Sequence, residues 1–190
     1  MSIGPLILAS ASPRRLDLLR QVGLGPDAID PADIDETPGP DEAPRAYALR
    51  MAQAKLAVVM PRHAGKLVLA ADSVVAVGRR ILPKAESEAE ARSCLALMSG
   101  RRHKVLGGIA VGFPDGKVRT RLVETVVRFR RLQTADIESY VQGGEWKGKA
   151  GGYAIQGRAA TFISFIAGSY SNVVGLPLFE TVQLLKALGG

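Results

Sequence analysis

"LASASPRRLDLLRQVGL", residues 8–24, decides the class of fold. Ile7 to Ala9 reads as the end of a buried strand, and a short run of small residues follows it. Ser12 is placed to N-cap a helix, and Pro13 suits the first helical position, where a missing N–H costs nothing. Leu16/Leu19 and Leu18/Val22 pair at helical spacing, and Gly23 closes the segment. Arg14 and Arg15 thus stand in the first turn of an apolar-striped helix. The helix dipole disfavours a cation there by roughly 0.3–1 kcal/mol. A bound anion reverses that balance, because helix-start N–H groups and a bidentate guanidinium bind the same oxygens. One contact near 4 Å contributes up to about 4 kcal/mol at an effective dielectric of 20. One helical step is about 100°, so the two arginines cannot share a direction, and Arg15 has the alternative of pairing with an acid and holding the loop.

Downstream, "PADIDETPGPDEAP" (31–44) is a polar, proline-rich loop that leaves Asp35 and Glu36 exposed. A longer helix follows from about Arg45 to Val59 and carries Arg50 and Lys55. "KLVLAADSVVAVG" reads as a buried strand to Ala71, a polar break at Asp72-Ser73, and a second strand turning at Gly78. Asp72 is therefore expected where a strand ends. An ionised carboxylate in that place needs a partner or a task, the alternative being an Asx-type turn cap. "ESEAEARSCLALMSG" is a helix with Ser87 and Glu90 in capping-box spacing and Gly100 as its stop. Two long strands join at Asp115-Gly116. Thr134 caps a short helix ending at Gly143-Gly144, and the tail holds the glycine-rich "GKAGGYAIQG", an apolar strand "TFISFI" and a last helix opened by Pro177. Irregular alternation with at least one hairpin predicts an α/β fold with a central mixed β-sheet flanked by helices.

The 190 residues suit one domain over 1–190, and 47% hydrophobic residues suffice for a core. No run approaches the roughly 18 apolar residues of a membrane span, and "MSIGPLILAS" lacks the features of a signal peptide, so no membrane is expected and the cytoplasm is. Cys94, the single cysteine, is expected to be a buried, inert thiol. A net charge of +7 favours anions without saying which. The basic clusters at Arg79-Arg80, Arg101 to Lys104 and Arg128 to Arg131 read as solvated turns or strand edges, and 5% aromatic residues are sparse for stacking on nucleic acid. Two histidines and one distant cysteine do not make a zinc site of common spacing. There is no P-loop and no GxSxG, and "GLGPDA" at Gly23 follows a helix rather than a strand, which disqualifies it as a dinucleotide fingerprint. What remains is a charged set beside strand ends and glycine loops: Arg14, Arg15, Glu36, Lys55, Asp72, Lys84, Glu145 and Lys149. Cations that meet phosphates, and carboxylates that hold a hard divalent metal, are the ingredients of metal-assisted phosphoanhydride chemistry.

With those residues assembled, the sequence resembles the Maf family of nucleoside triphosphate pyrophosphatases over almost its whole length. "LASASPRR", "IDET", "YALRMAQAK", "AADSVV", "ILPKA", "MSGRRHKV", "GKAGGYAIQG" and "GSYSNVVGLPL" match in the family's order. The resemblance implies two lobes with a cleft and a fold related to the inosine triphosphate pyrophosphatases. It implies that Ser10, Arg14 and Arg15 hold the phosphate chain, that Lys55 and Lys84 add positive charge, that Glu36 and Asp72 serve a magnesium or manganese ion, and that Asp72 accepts the proton of the attacking water. Water attack at the α-phosphorus would give a monophosphate and pyrophosphate. Arg14, the hydroxyl of Ser73 and Gln156 match the specificity positions of the branch that prefers dTTP and UTP, and the 7-methyl-GTP branch ranks second. Ser73 stands where threonine is usual, Lys84 lies in "LPKA" without the usual flanking residues, and Gly107 replaces a frequent threonine. The implied role is house-cleaning of nucleotides, the implied partner a nucleoside triphosphate, and a homodimer is left open. The competing class is a non-catalytic nucleic-acid-binding or cell-division regulatory protein, for which Glu36, Asp72 and Glu145 would have no use.

Overall fold

The computed structural model describes residues 4–186. It falls into two compact units, one taking the chain to Asp72, then 107–123 and the part from Gly175 onward, the other taking 73–106 and 124–174.

In the first unit, β1 (Leu6–Leu8) is buried throughout and feeds α1 (Pro13–Gln21). β2 (Ala28–Ile29) and β3 (Leu67–Val77) pair with β1 in parallel, with Ile7 opposite Ala28 on one side and Val68 on the other. Fully apolar β1 fits a strand covered on both faces. α2 (Pro44–Val59) supplies the cover: Ala52, Leu56 and Val59 pack with Ile7, Ala9, Val68, Ala70 and Ala110. Helix and strand approach closely at Gly108, where an added Cβ would overlap the Ala48 carbonyl oxygen and stand 2.7 Å from its carbon.

In the second unit, β4 (Arg80–Leu82) pairs antiparallel with the end of β3, Val75 opposite Leu82, and β5 (Lys84–Ala85) follows. α3 (Glu88–Met98) opens on the expected capping box, with Ser87 Oγ accepting from Glu90 N and the Glu90 carboxylate accepting from Ser87 N. β6 (Arg102–Gly112) and β7 (Val118–Phe129) are the long strands joined around Asp115-Gly116; residues 102–106 and 124–129 of them belong to this unit and the hairpin end to the first. α4 (Thr134–Gln142) packs with α3 over a core that includes Leu95, Met98, Val127, Phe129, Tyr140 and Phe162. β8 (Lys149–Ala150) pairs with β5, Lys84 opposite Ala150, and β9 (Ile163–Ala167) pairs antiparallel with β7. α5 (Tyr170–Val174) completes this unit, and α6 (Leu178–Lys186) belongs to the first. The remainder of the expected last helix, residues 187–190, lies outside the described residues.

The strand order β2-β1-β3-β6-β7-β9, with β4 on β3, mixes parallel and antiparallel pairs, as expected. Several local expectations are corrected. Asp72 does not end a strand, because β3 runs through it without a break, and the residue is 4% exposed. An Asx cap is therefore ruled out: the carboxylate has a charged partner and needs no turn. Thr134 is the first residue of α4 rather than its cap, and the Asp136 carboxylate accepts from Gln133 N at 2.8 Å instead. Ser12 holds the N-cap position of α1 without a side-chain capping bond, since the chain there is organised around Ser10. The strand expected at "TFISFI" forms two residues later, and most of it is exposed.

Candidate active site

The first unit brings Ser10, Arg14, Arg15, Glu36, Lys55 and Asp72 onto four neighbouring segments: the turn after β1, the start of α1, the loop before α2, and α2 facing β3. Ser10 leaves the end of β1, where Ala9 N still bonds to the Leu69 carbonyl. Its hydroxyl oxygen accepts from Ser12 N at 3.2 Å and from Arg15 Nη1 at 2.9 Å. A hydroxyl has two acceptor positions and one donor. Both acceptor positions are thus taken, and the O–H is left to donate.

Arg15 is 8% exposed, and its Nε donates to the Gly175 carbonyl at 2.9 Å. It therefore ties the β1 turn to the segment before α6, holding the loop through a hydroxyl and a carbonyl. Burial pushes its guanidinium below the usual arginine range, the Asp72 carboxylate opposes that shift, Arg14 adds to it, and Glu36 opposes it again. Arg14, half-buried on the next helical step, is lowered by burial as well. Both remain cations at neutral pH.

Lys55 is the centre of the cluster. It lies on the face of α2 that buries Tyr47, Ala48, Met51 and Ala52, and its side chain is 8% exposed. Its Nζ is 2.6 Å from Asp72 Oδ1 and 2.7 Å from Glu36 Oε1. Each contact attracts by roughly 6 kcal/mol at an effective dielectric of 20, but taking each ion out of water costs several kcal/mol. The two terms nearly cancel, so stability alone does not account for a buried charge cluster at this place. Glu36 is only about one-third exposed, at 33%, against the expectation of a solvated loop acid.

Tyr47, which the sequence reading did not single out, explains why. Its buried hydroxyl donates to the Glu36 carbonyl at 2.6 Å, and Arg50 grips Glu42 at 2.7 Å and reaches the Thr37 carbonyl. Burial, with the Asp72 and Glu36 carboxylates adding to it, pushes the Tyr47 hydroxyl up to about 12. The available signal was positional: Tyr47, Met51 and Lys55 recur at four-residue spacing, which places a lysine on a buried stripe.

Among the described residues, no three histidine, cysteine or carboxylate side chains gather into a metal cage. Glu36 and Asp72 nevertheless present oxygens to a single cationic point, and hard divalent ions are commonly held by one or two carboxylates with phosphates completing the set. The donor set therefore fits magnesium or manganese accompanied by a phosphate ligand.

The second unit holds the remaining candidates. Ser73 follows Asp72 on β3 and is half-exposed. Lys84 is exposed on β5 beside the glycine loop, opposite Ala150, and Lys149 is half-buried in β8. Gln156 is exposed at the loop's end. The loop is firmly seated. Tyr140 OH accepts from Ala154 N at 3.3 Å, Gly151 packs on Val75, and Tyr153 OH is 2.8 Å from His103 Nε2. Burial lowers His103 to about 4, so the ring is neutral. Glu145 is structural here: it accepts from Arg158 N at 2.9 Å and lies where a side chain on Gly157 would be. Cys94 is buried as expected, with its thiol raised by burial.

The sequence profile of the Maf-like protein family matches residues 5–188. The dTTP/UTP pyrophosphatase of Rhodospirillum rubrum is 62% identical over 188 residues, covering 99% of this chain and 90% of its own. The dTTP/UTP pyrophosphatase of Caulobacter vibrioides is 63% identical, covering 100% and 98%. Among solved structures, the Staphylococcus aureus Ham1 protein aligns at 18% identity over 66% of this chain and 71% of that one, with a TM-score of 0.45.

Proposed function

The chain belongs to the Maf-like protein family, and from that premise we propose that it is a pyrophosphatase of pyrimidine nucleoside triphosphates, with dTTP and UTP as substrates. Residues 1–190 act as one catalytic domain, in the cytoplasm, with neither nucleic acid nor membrane as partner. The observation that carries this reading is the Glu36–Lys55–Asp72 cluster, its lysine and Asp72 buried, beside two arginines and a donor-only serine. Phosphate binding alone would be served by the cations. Two carboxylates drawn in among them call for a proton acceptor and a metal, which is what hydrolysis of a phosphoanhydride needs.

In this assignment Ser10 O–H and Arg14 bind oxygens of the phosphate chain, and Arg15 holds Ser10 in place while adding its charge. Lys55 and Lys84 supply further positive charge. Asp72, which Lys55 contacts through Oδ1 in the ligand-free site, takes a proton from water as the water oxygen attacks the α-phosphorus. The bond from the α-phosphorus to the bridging oxygen breaks, and its electron pair leaves with pyrophosphate. Glu36 and Asp72 would hold magnesium or manganese, which when bound neutralises the triphosphate and the leaving group. On the base side, the Gln156 amide both donates and accepts, as a pyrimidine edge requires, while Ser73 supplies a hydroxyl.

The test is hydrolysis of dTTP, UTP and the other common triphosphates in 18O-labelled water with magnesium. The expected products are monophosphate and pyrophosphate, with the label in the monophosphate and the pyrimidine nucleotides preferred. Release of inorganic phosphate, label in the pyrophosphate, or no turnover of any triphosphate contradicts the proposal.

A further inference from the structure

Two carboxylates from different segments, Glu36 on a loop and Asp72 within β3, converge on one point, and a side chain of the protein already occupies it. Lys55 Nζ stands 2.7 Å from one and 2.6 Å from the other. The Lys55 and Asp72 side chains are 8% and 4% exposed and Glu36 is 33% exposed, so solvent screens this contact poorly at Asp72 and the ammonium is the cation in direct contact with both acids. With both acids ionised and the amine protonated, the trio carries one net negative charge. A divalent cation at the same point neutralises the two carboxylates fully. The two cations cannot share the position. Coulomb energy scales with the product of the charges over their separation, so a divalent ion at ammonium distance repels Lys55 twice as strongly as either carboxylate attracts it.

We propose that Lys55 is the resident counter-ion of the Glu36–Asp72 pair and that a divalent cation exchanges with it, releasing the ammonium toward the incoming phosphate chain. This rests on the assignment of Glu36 and Asp72 as metal ligands above. It makes the lysine a gate. Metal alone binds weakly, because it must evict a buried ion that then lacks a partner. Metal with a triphosphate binds well, because the phosphates receive the displaced ammonium. The two ligands are thereby coupled, each raising the affinity of the other by the same factor.

Two measurements without nucleotide, and a third with a nucleotide analogue, test the exchange. In 15N-labelled unsubstituted protein, the Lys55 ammonium resonance, assigned by its loss in Lys55→Arg, is expected to shift or broaden away as magnesium is added. By electron paramagnetic resonance of free manganese, Lys55→Met is expected to bind the ion at least tenfold more tightly than the unsubstituted chain, and Lys55→Arg no more tightly. Adding a non-hydrolysable triphosphate analogue should tighten manganese binding to the unsubstituted protein and do so far less in Lys55→Met. An ammonium resonance unmoved in excess magnesium, an unchanged or weakened manganese affinity in Lys55→Met, or no manganese binding by any of these proteins overturns the proposal. The resonance is read on the unsubstituted chain, so it stands even if Lys55→Met folds poorly. A failure to release pyrophosphate would sink the assigned reaction and leave these measurements interpretable on their own.

Discussion

Arg15 Nη1 donates to Ser10 Oγ at 2.9 Å while Nε of the same guanidinium donates to the Gly175 carbonyl at 2.9 Å. The second arginine of "SPRR" is therefore turned into the protein, 8% exposed, whereas the first, on the adjacent helical step, is half-buried. Removing Arg15 leaves a carbonyl and a hydroxyl short of a charged donor, at a cost of about 1–3 kcal/mol. Arg15→Ala is expected to lose about that much stability in urea denaturation. Arg14→Ala should change stability by less than about 1 kcal/mol and raise KM for dTTP instead.

Gly108 lets α2, and with it Lys55, lie directly on β6. The obstruction to any side chain there is backbone, the Ala48 carbonyl, which cannot rotate away. Gly108→Ala is expected to destabilise the fold by about 1–3 kcal/mol and to lower turnover through displacement of Lys55. A thermal melt alongside dTTP hydrolysis reads both effects; an unshifted melting temperature would contradict the close approach.

His103 carries a pH dependence with a definite sign. Burial lowers its folded pKa to about 4 from an ordinary 6.5, so between those values the unfolded chain binds more protons than the folded one. Stability therefore rises with pH across that window and is lost as pH falls from about 6.5 toward 4, by roughly 3 kcal/mol in all. Chemical denaturation at pH 7 and pH 4.5 should show this acid loss in the unsubstituted protein and a smaller one in His103→Gln, whose amide can still meet Tyr153.

Gln156 is exposed at the end of a loop anchored through Tyr140 and Tyr153. Its substitution should consequently spare the fold. Gln156→Ala is expected to leave the urea midpoint unchanged while lowering kcat/KM for UTP by about tenfold, the cost of one or two hydrogen bonds to a base. An equal loss with every triphosphate would remove Gln156 from base selection.

Much of this was legible in the sequence because the physics was local. The strand and helix around "SASPRR", the Ser87–Glu90 capping box and the hairpin at Asp115-Gly116 each depend on residues a few positions apart. What escaped was set by distant partners. Asp72 looked like a strand end because a carboxylate in an apolar run normally breaks it, yet Lys55, seventeen residues earlier, neutralises it in mid-strand. Glu36 looked solvated in its polar loop, yet Tyr47 on the next helix holds its carbonyl and Lys55 its carboxylate. Arg14, Arg15, Glu36, Lys55 and Asp72 stood out by charge beside strand ends and loops, and Ser10 by family likeness. Their geometry adds which of them face inward, which no spacing could show.

Asp72 is the proton acceptor at the centre of the proposed reaction, and Asp72→Asn probes that role because the amide keeps an oxygen for Lys55 while losing basicity. Pyrophosphate release from dTTP and UTP with magnesium is to be compared between this variant and the unsubstituted protein. Proton acceptance by Asp72 predicts release by the unsubstituted chain and a fall of about 10²-fold or more in the variant at saturating magnesium and nucleotide. Equal rates in the two proteins would contradict it.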